Sequence, residues 1–235
     1  MTSLARKAIV VTGAFGALGS ATARAAVKAG GRVALIDRAT NVPPGLLEAC
    51  GPDAVALGGV DLSIAADATR AIDAANDRLH GLDVLINIAG AFRWQTVADG
   101  DSQLWDLMYT INLKTAVNAS RAALAHMRKS GTGRIINMGV NATLKSGAGM
   151  GPYAASKAGV HRLTESLAEE VKGFGITVNA ILPSIIDTPA NRADMPQADF
   201  TRWVAPQALA DVILFLASDE ASAVTGALLP VTGKV

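Results

Sequence analysis

The sequence predicts an α/β fold, a doubly wound parallel sheet of about seven strands covered by helices on both faces. Short apolar runs alternate with helical stretches along all 235 residues, which is typical of βαβ units. Half of the residues are hydrophobic, only 4% are aromatic and 23 are glycines, which suits helices packed closely on a sheet. No linker-like composition interrupts the chain, so we expect one domain over residues 1–235.

A glycine-rich turn follows the first predicted strand, residues 8–11. Gly13, Gly16 and Gly19 stand between this strand and an alanine-rich helix. Glycines let the backbone turn sharply and approach a ligand closely, and the helix start offers free amides at its positive end. The turn is therefore a candidate cradle for a diphosphate, and alternatively only a tight strand-to-helix turn.

The later elements follow in order from the same alternation. The other predicted strands are residues 32–36, 54–60, 83–86, 133–137, 176–182 and 227–231. The other predicted helices run from Ser63 to near Gly81 and over residues 102–129, 153–172 and 206–218, and residues 41–52 are expected to be irregular surface. In the helix after Ser63 the side chains expected in the core are Ile64, Ala68, Ala71, Ile72, Ala75 and Leu79.

An aspartate ends the second strand. Asp37 stands about where a dinucleotide fold places an acid on the adenosine ribose. A carboxylate there accepts hydrogen bonds from a diol and repels a 2′-phosphate, which favours NAD(H). The neighbouring Arg38 leaves NADP(H) possible, because an arginine at this point binds such a phosphate. The alternative is an ordinary exposed aspartate.

A tyrosine and a lysine, Tyr153 and Lys157, are four residues apart and therefore share one face of a predicted helix. A tyrosine serves as a general acid near neutral pH if its pKa falls by about three units, which costs about 4 kcal/mol. A lysine ammonium about 4 Å away supplies about that much. The alternative is a surface tyrosine beside a solvated lysine.

Residue counts exclude several kinds of protein. With 21 basic and 20 acidic residues and no basic cluster, we expect no nucleic-acid partner. Cys50 is the only cysteine, which fits a reducing compartment, and no stretch is long enough to cross a bilayer. We therefore expect a cytoplasmic protein with no membrane partner. His80, His126 and His161 lack metal-ligand spacing, so we expect no metal and place each histidine on a helix surface.

In their order and spacing, these signals resemble the short-chain dehydrogenase/reductase family over essentially the whole chain. The matching positions are the glycine turn, Asp37, Asp61, Asn87-x-Ala-Gly, Asn112, Tyr153-x-x-x-Lys157 and Pro183. The resemblance implies a Rossmann-type, NAD(P)-dependent oxidoreductase. It makes Tyr153 the proton donor, Lys157 the group that lowers its pKa and binds the nicotinamide ribose, and Asn112 the holder of a relay water.

The resemblance also assigns residues to the cofactor. Those implied are Gly13, Gly16 and Gly19 at the diphosphate, Asp37 and Asp61 at the adenosine, Asn87, Ala89 and Gly90 along the cofactor, and Thr188 at the nicotinamide carboxamide. The remaining cofactor positions are Phe15, Ala17, Leu18, Arg38, Leu62, Pro183 and Ile186, together with Tyr153 and Lys157.

Two positions in these motifs depart from the family pattern. Gly16 stands one place early, with Ala17 where the family often has glycine, and Ser184 follows Pro183 where glycine is usual.

A larger departure concerns the catalytic serine of the family. It usually lies thirteen residues before the tyrosine, and in this chain that position is Val140, which cannot hydrogen-bond a substrate carbonyl. Asn141, Thr143 and Ser146 are candidates to replace it, and spacing favours none of them. Alternatively, the substrate needs no such donor.

The dihydropteridine reductases, which reduce a quinonoid pterin with NADH, are a branch of the family without this serine. Residues 16–20, 149–153, 159–163 and, most closely, 182–200 resemble that branch. Our main hypothesis is therefore hydride transfer to a planar conjugated substrate such as a quinonoid dihydropteridine. The alternatives are a ketone, quinone or 3-oxoacyl thioester reductase and a non-catalytic NAD(H)-binding sensor.

Predicted loops at about residues 91–101, 140–152 and 184–205 surround the expected small-molecule substrate. Phe92, Trp94 and Trp203 lie in these loops and either flank a planar substrate or form an apolar lid. The family resemblance also implies a homo-oligomer, a tetramer or a dimer, formed through the helices around Asn112 and Tyr153.

Overall fold

The computed structural model describes residues 3–143 and 145–235. The strands are β1 (Ala8–Thr12), β2 (Arg32–Ile36), β3 (Val55–Leu57), β4 (Val84–Asn87), β5 (Gly133–Met138), β6 (Ile176–Pro183) and β7 (Leu228–Val231). Within these residues they form one parallel sheet in the order β3-β2-β1-β4-β5-β6-β7. The strand order reverses between β1 and β4, and such a switch point opens a crevice at the carboxyl ends of the strands. The predicted α/β fold with about seven parallel strands is confirmed.

Helices cover both faces of this sheet. They are α1 (Ala17–Lys28), α2 (Leu46–Cys50), α3 (Ala65–Leu79), α4 (Ser102–Met108), α5 (Thr115–Ser130), α6 (Gly151–Val171), α7 (Pro189–Asp194) and α8 (Pro206–Ala217). Within the described ranges, none of the helices has both the length and the apolar character that spanning a bilayer requires.

The two faces follow from the alternation of side chains along each strand. On β1, Ile9 and Val11 belong to the core that α1 and α8 cover. Ala8 and Val10 belong to the opposite core, beneath α3, α5 and α6. Because β1 is buried on both faces, its apolar run is continuous, as the prediction of a doubly covered sheet required.

The region between β2 and α3 differs from the prediction. The strand expected over residues 54–60 ends at Leu57, because Gly58 follows, where a Cβ would lie 2.8 Å from the carbonyl oxygens of Ala39 and Thr40. Residues 41–52 are not wholly irregular, since they contain the short helix α2, which buries Leu46.

Ile64 is also placed differently. It caps the N-terminus of α3 in an extended conformation, and its side chain is 50% exposed instead of lying in the core. The other five side chains expected in the core of this helix, Ala68, Ala71, Ile72, Ala75 and Leu79, are buried. The helix begins at Ala65, two residues later than predicted, so Ile64 precedes the first turn and lies outside the apolar stripe.

The long helix predicted over residues 102–129 is interrupted by a π-helical segment, Tyr109–Lys114, between α4 and α5. Such a wider turn adds one residue to the helix locally and is frequent at functional sites. The segment carries Asn112, whose side chain is buried.

Candidate active site

The glycine turn after β1 is built by close backbone contacts. Gly13 has a φ of +63°, and a Cβ there would lie 2.8 Å from the backbone of Ala89. A Cβ on Gly19 would collide with the Gly13 carbonyl oxygen and lie 2.7 Å from Ala14 Cα. Gly16, by contrast, meets only an ordinary contact. Packing therefore requires glycine at positions 13 and 19. Gly16 is not required by packing and leaves space for a ligand at the N-terminus of α1.

Asp37 ties the end of β2 to this turn. One carboxylate oxygen accepts the Phe15 N–H at 2.9 Å, and the other accepts the Ala39 N–H at 2.9 Å. At the next strand exit, hydrogen bonds from Ser63, and then the charges of Arg38 and Lys114, lower the pKa of Asp61. Two acids therefore lie at the end of the crevice predicted to hold the adenosine.

A cavity of about 850 Å³ opens along these strand ends. The predicted cofactor residues that line it are Gly13, Phe15, Gly16, Ala17, Leu18, Gly19, Asp37, Arg38, Asp61, Leu62, Ala89, Gly90 and Thr188. The cavity is large enough to suit a dinucleotide. Gly90 is required by packing at its edge, because a Cβ there would lie 2.5 Å from Asn112 Oδ1.

The other predicted cofactor residues lie outside the lining of this cavity: Asn87, Tyr153, Lys157, Pro183 and Ile186. Asn87 is buried in the core, where its amide donates to Ser120 Oγ at 3.0 Å and to Asn137 Oδ1 at 2.9 Å. The pairing of β4 with β5 places Asn87 beside Asn137. The Asn87 side chain therefore stabilises the strand ends from within the core. Pro183 ends β6, and Ile186 forms a bridge with Val204.

Thr12 has a role that the sequence prediction missed. Its hydroxyl oxygen accepts the N–H groups of Ile88 at 3.1 Å and Ala89 at 3.2 Å. These bonds fix the backbone that leaves β4 toward Gly90. The signal was present in the sequence, because Thr12 directly precedes the first glycine of the turn.

Asn112 joins three parts of the site. Its carboxamide accepts the Ala91 N–H at 2.9 Å, donates to the Ala91 carbonyl at 3.0 Å and donates to Ser156 Oγ at 3.1 Å. Ser156 in turn donates to the Tyr153 carbonyl at 2.7 Å. The Asn112 side chain thus links the backbone that follows β4 to helix α6. Its proposed contact with a relay water stays a prediction.

Tyr153 lies in the first turn of α6, where Pro152 suits a helix start. The Phe92 ring meets the Tyr153 ring edge-on, with 5.0 Å between the centroids. Burial raises the pKa of Tyr153 to about 12. Desolvation causes this rise, because removing water penalises the phenolate. Tyr153 is therefore a protonated acid at neutral pH. The expectation that Lys157 lowers the pKa of Tyr153 stays a prediction.

Lys157 is buried one turn further along α6. Its ammonium donates to the Met138 carbonyl oxygen at the end of β5, at 2.7 Å. Burial lowers the pKa of Lys157 to about 8, so most of the population is still charged at pH 7. A Cβ on Gly90 would lie 3.4 Å from this ammonium, which places the lysine at the end of the cavity predicted for the nicotinamide.

The histidines do not all lie on helix surfaces as predicted. His80 ends α3 in a left-handed conformation and is exposed, and His126 is partly exposed and 2.7 Å from Asp73. His161 is buried beneath the residues that follow β5. The helical spacing 153, 157 and 161 places it on the same face as Tyr153 and Lys157, a signal that the sequence contained. Among the described residues, no group of three His, Cys, Asp or Glu side chains is arranged to hold a metal ion.

The three aromatic loop residues have separate places. Phe92 lies on Tyr153, whereas Trp94 is exposed and donates its indole N–H to the Ala148 carbonyl at 2.9 Å. Trp203 is buried against Phe200, with 4.8 Å between the ring centroids, and is part of the fold. One member of the predicted substrate loop 140–152, Leu144, lies outside the described residues.

A cradle for a dinucleotide at the switch point of a parallel sheet, with a tyrosine and a buried lysine near one end, defines an oxidoreductase that uses a nicotinamide nucleotide. The comparisons with known proteins agree. Residues 7–199 match the family model described as short chain dehydrogenase, and the chain belongs to this family of NAD(P)-dependent oxidoreductases.

Three relatives illustrate the family. The chain is 33% identical to the 2-(S)-hydroxypropyl-CoM dehydrogenase 3 of Xanthobacter autotrophicus, over 98% of this chain and 96% of that protein. It is 32% identical to a 3-oxoacyl-(acyl-carrier-protein) reductase of Vibrio harveyi over 98% of each chain. It is also 32% identical to the acetoacetyl-CoA reductase of Allochromatium vinosum over 76% of each chain. These names agree better with the alternative of a ketone or 3-oxoacyl thioester reductase than with dihydropteridine reduction.

Proposed function

We propose that the chain is one dinucleotide-binding oxidoreductase domain that reduces a carbonyl compound, a ketone or a 3-oxoacyl thioester, with NAD(P)H. The observation that carries the proposal is the protonated Tyr153 one helical turn from the buried Lys157, whose ammonium lies close to Gly90 in the lining of a cavity suited to a dinucleotide. The names of the two reductase relatives support this substrate class.

The nicotinamide cofactor, when bound, supplies the hydride. Negative charge then develops on the substrate oxygen, and Tyr153 donates its phenolic proton to that oxygen. The ammonium of Lys157 offsets the charge left on the phenolate, which is effective because the lysine is buried. Asn112 holds the Ala91 backbone and α6 together, so that the acid and the cavity keep their relative positions.

A planar conjugated substrate, such as a quinonoid dihydropteridine, is the second candidate. Two observations favour it: the Phe92 ring lies against Tyr153 and offers an aromatic wall, and Val140 supplies no hydroxyl for a carbonyl. A conjugated ring accepts hydride without a second donor at a carbonyl oxygen, so the site as built suffices for it.

A substrate panel separates these candidates. Oxidation of NADH and NADPH is followed optically with an acetoacetyl thioester, simple ketones, a quinone and a freshly generated quinonoid dihydropterin. Turnover of the thioester or ketones is the expected result, and Val140→Ser, which restores a hydroxyl, should raise it. Turnover of the dihydropterin alone supports the second candidate. NADH binding without any turnover contradicts both candidates and supports a sensor.

We further propose that NAD(H) is the preferred cofactor and NADP(H) a possible one, because the Asp37 carboxylate lies at the predicted ribose position beside Arg38. We also propose a cytoplasmic homo-oligomer, a dimer or tetramer, with no nucleic-acid or membrane partner. The exposed apolar side chains of Trp105, Leu107 and Tyr109, next to Asn112, support an oligomer interface there. Sedimentation at micromolar concentration should show an oligomer, and a monomer contradicts that part.

A further inference from the structure

The residues that follow β5 are held on α6 by a closed ring of hydrogen bonds around His161. The Val140 N–H donates to His161 Nε2 at 3.4 Å. His161 Nδ1 lies 3.2 Å from Thr143 Oγ1, and Thr143 Oγ1 lies 3.1 Å from the Val140 carbonyl oxygen. His161 is 3% exposed.

The chemistry of these groups determines where each proton lies. A backbone N–H only donates, so Nε2 must be the nitrogen with the free lone pair. The neutral imidazole then carries its proton on Nδ1 and donates it to Thr143. The Thr143 hydroxyl in turn donates its own proton to the Val140 carbonyl, which closes the ring.

The surroundings of His161 favour this neutral form. A Cβ on Gly139 would collide with Nε2 and lie 2.8 Å from Cδ2, so the imidazole packs directly against the glycine backbone that follows β5. Burial, and then the charges of Arg162 and Lys157, lower the pKa of His161, while Glu165 acts in the opposite direction. A second proton on Nε2 would face the Val140 N–H and break the ring.

We infer that His161 is a positioning residue for the proposed reduction: it holds residues 140–143 against the helix that carries Tyr153 and Lys157, and it engages the Thr143 hydroxyl. Thr143 is therefore not the replacement for the missing family serine, because its one proton is already donated. The inference rests on the proposed function. The strand end that directly precedes this segment is held by Lys157 through the Met138 carbonyl, so displacing the segment would disturb the lysine as well.

Variants of the ring test this inference. His161→Gln and Thr143→Val should each lower kcat about tenfold, with the dissociation constant of NADH unchanged. The double variant should lose no more than either single one, because the residues act as a unit. Thr143→Ser, which keeps the hydroxyl, should retain most of the activity. His126→Gln, a histidine away from the site, is the matched control. Wild-type kcat in Thr143→Val overturns the inference.

A spectroscopic measurement needs no turnover. Nitrogen-15 NMR of the histidine-labelled protein, assigned with His161→Gln, should show a neutral His161 protonated on Nδ1, and Thr143→Val should shift that signal. A proton on Nε2 overturns the inference. If the wild type reduces no substrate but shows the Nδ1–H form, the proposed function fails and the ring around His161 stands.

Discussion

Burial acts on Tyr153 and Lys157 for the same physical reason and moves their pKa values in opposite directions. Removing water disfavours the charged form of each group, so the pKa of the phenol rises to about 12 and that of the ammonium falls to about 8. At neutral pH the phenol of Tyr153 is thus protonated in the ligand-free protein. The Lys157 ammonium is charged, but it loses its proton more readily than an exposed lysine does. A proton donor for reduction needs this starting state.

Replacing Tyr153 by phenylalanine removes the proposed acid and little else. We expect kcat to fall by about 10² to 10⁴ and the affinity for NADH to stay close to that of the wild type. Steady-state kinetics and a fluorescence titration with NADH measure the two quantities. Tyr109→Phe is the matched control, since Tyr109 is 54% exposed and the only other tyrosine. Wild-type turnover in Tyr153→Phe would show that another group donates the proton.

The low pKa of Lys157 predicts a pH dependence of stability. Between about pH 8 and pH 10.5 the unfolded chain binds this proton and the native protein does not, so native stability rises with pH in that window. Relative to Lys157→Met, the wild type should gain up to about 3 kcal/mol of unfolding free energy over the window. Urea unfolding of both proteins from pH 7 to pH 10 measures the difference. A constant difference would mean that Lys157 titrates normally.

Single contacts join whole elements around the proposed substrate site. Trp94 donates to the Ala148 carbonyl, and the Gln95 N–H donates to the Gly149 carbonyl at 2.9 Å, so the loop after β4 is bound to the loop before α6. Gly149 has a φ of +74°, and a Cβ there would lie 2.6 Å from Trp94 Cζ2 and closer still to other ring atoms. The indole thus rests where only a glycine leaves space.

Gly149→Ala should separate the two loops. We expect a several-fold rise in KM for the substrate and a loss of about 1 to 2 kcal/mol of stability, since the new methyl group meets the indole and the backbone is strained. Steady-state kinetics and urea unfolding measure these effects. Gly147→Ala is the matched control, because a Cβ there would only touch Met150 Sδ at 3.6 Å. Equal behaviour of the two variants would show that the loops do not depend on this contact.

At the scale of the whole molecule, the residue proposed to select the cofactor and the residues proposed for the chemistry lie at different strand ends. Asp37 follows β2, on one side of the switch point, whereas Lys157 binds the end of β5 on the other side. The crevice along the strand ends runs from Asp37 to Gly90, where a Cβ would lie 3.4 Å from the Lys157 ammonium. An open parallel sheet therefore lets the adenosine end vary without altering the acid.

Asp37→Asn tests the cofactor preference. The amide keeps an acceptor for the Phe15 N–H but loses the charge that repels a 2′-phosphate. We therefore expect the ratio of kcat/KM for NADPH to that for NADH to rise about tenfold. Asp53→Asn, at an exposed aspartate away from the cavity, provides the comparison. An unchanged ratio in Asp37→Asn would show that this carboxylate does not select the cofactor.

Much of the fold was predictable because it depends on local patterns. Alternating apolar runs and helical stretches identified the strands and the sheet that two helical layers cover, and the glycines marked the cradle. The predictions were wrong where residues distant in the chain determine the local structure. Gly58 follows β3 and packs against a separate loop, and Ile64 is exposed at the start of a helix. A π-helical segment interrupts the long helix at Asn112.

The sequence by itself determined the α/β fold and the helical spacing of Tyr153 and Lys157, because propensity, periodicity and spacing act over a few neighbouring residues. Only the tertiary structure decided the protonation of Tyr153, the burial of Asn87 and the ring around His161. Each of these depends on residues distant in the chain: Phe92 lies on Tyr153, Asn137 binds Asn87, and Val140 and Thr143 enclose His161. Desolvation and hydrogen bonding depend on the groups that surround a side chain in space, and the order of residues along the chain does not specify those groups.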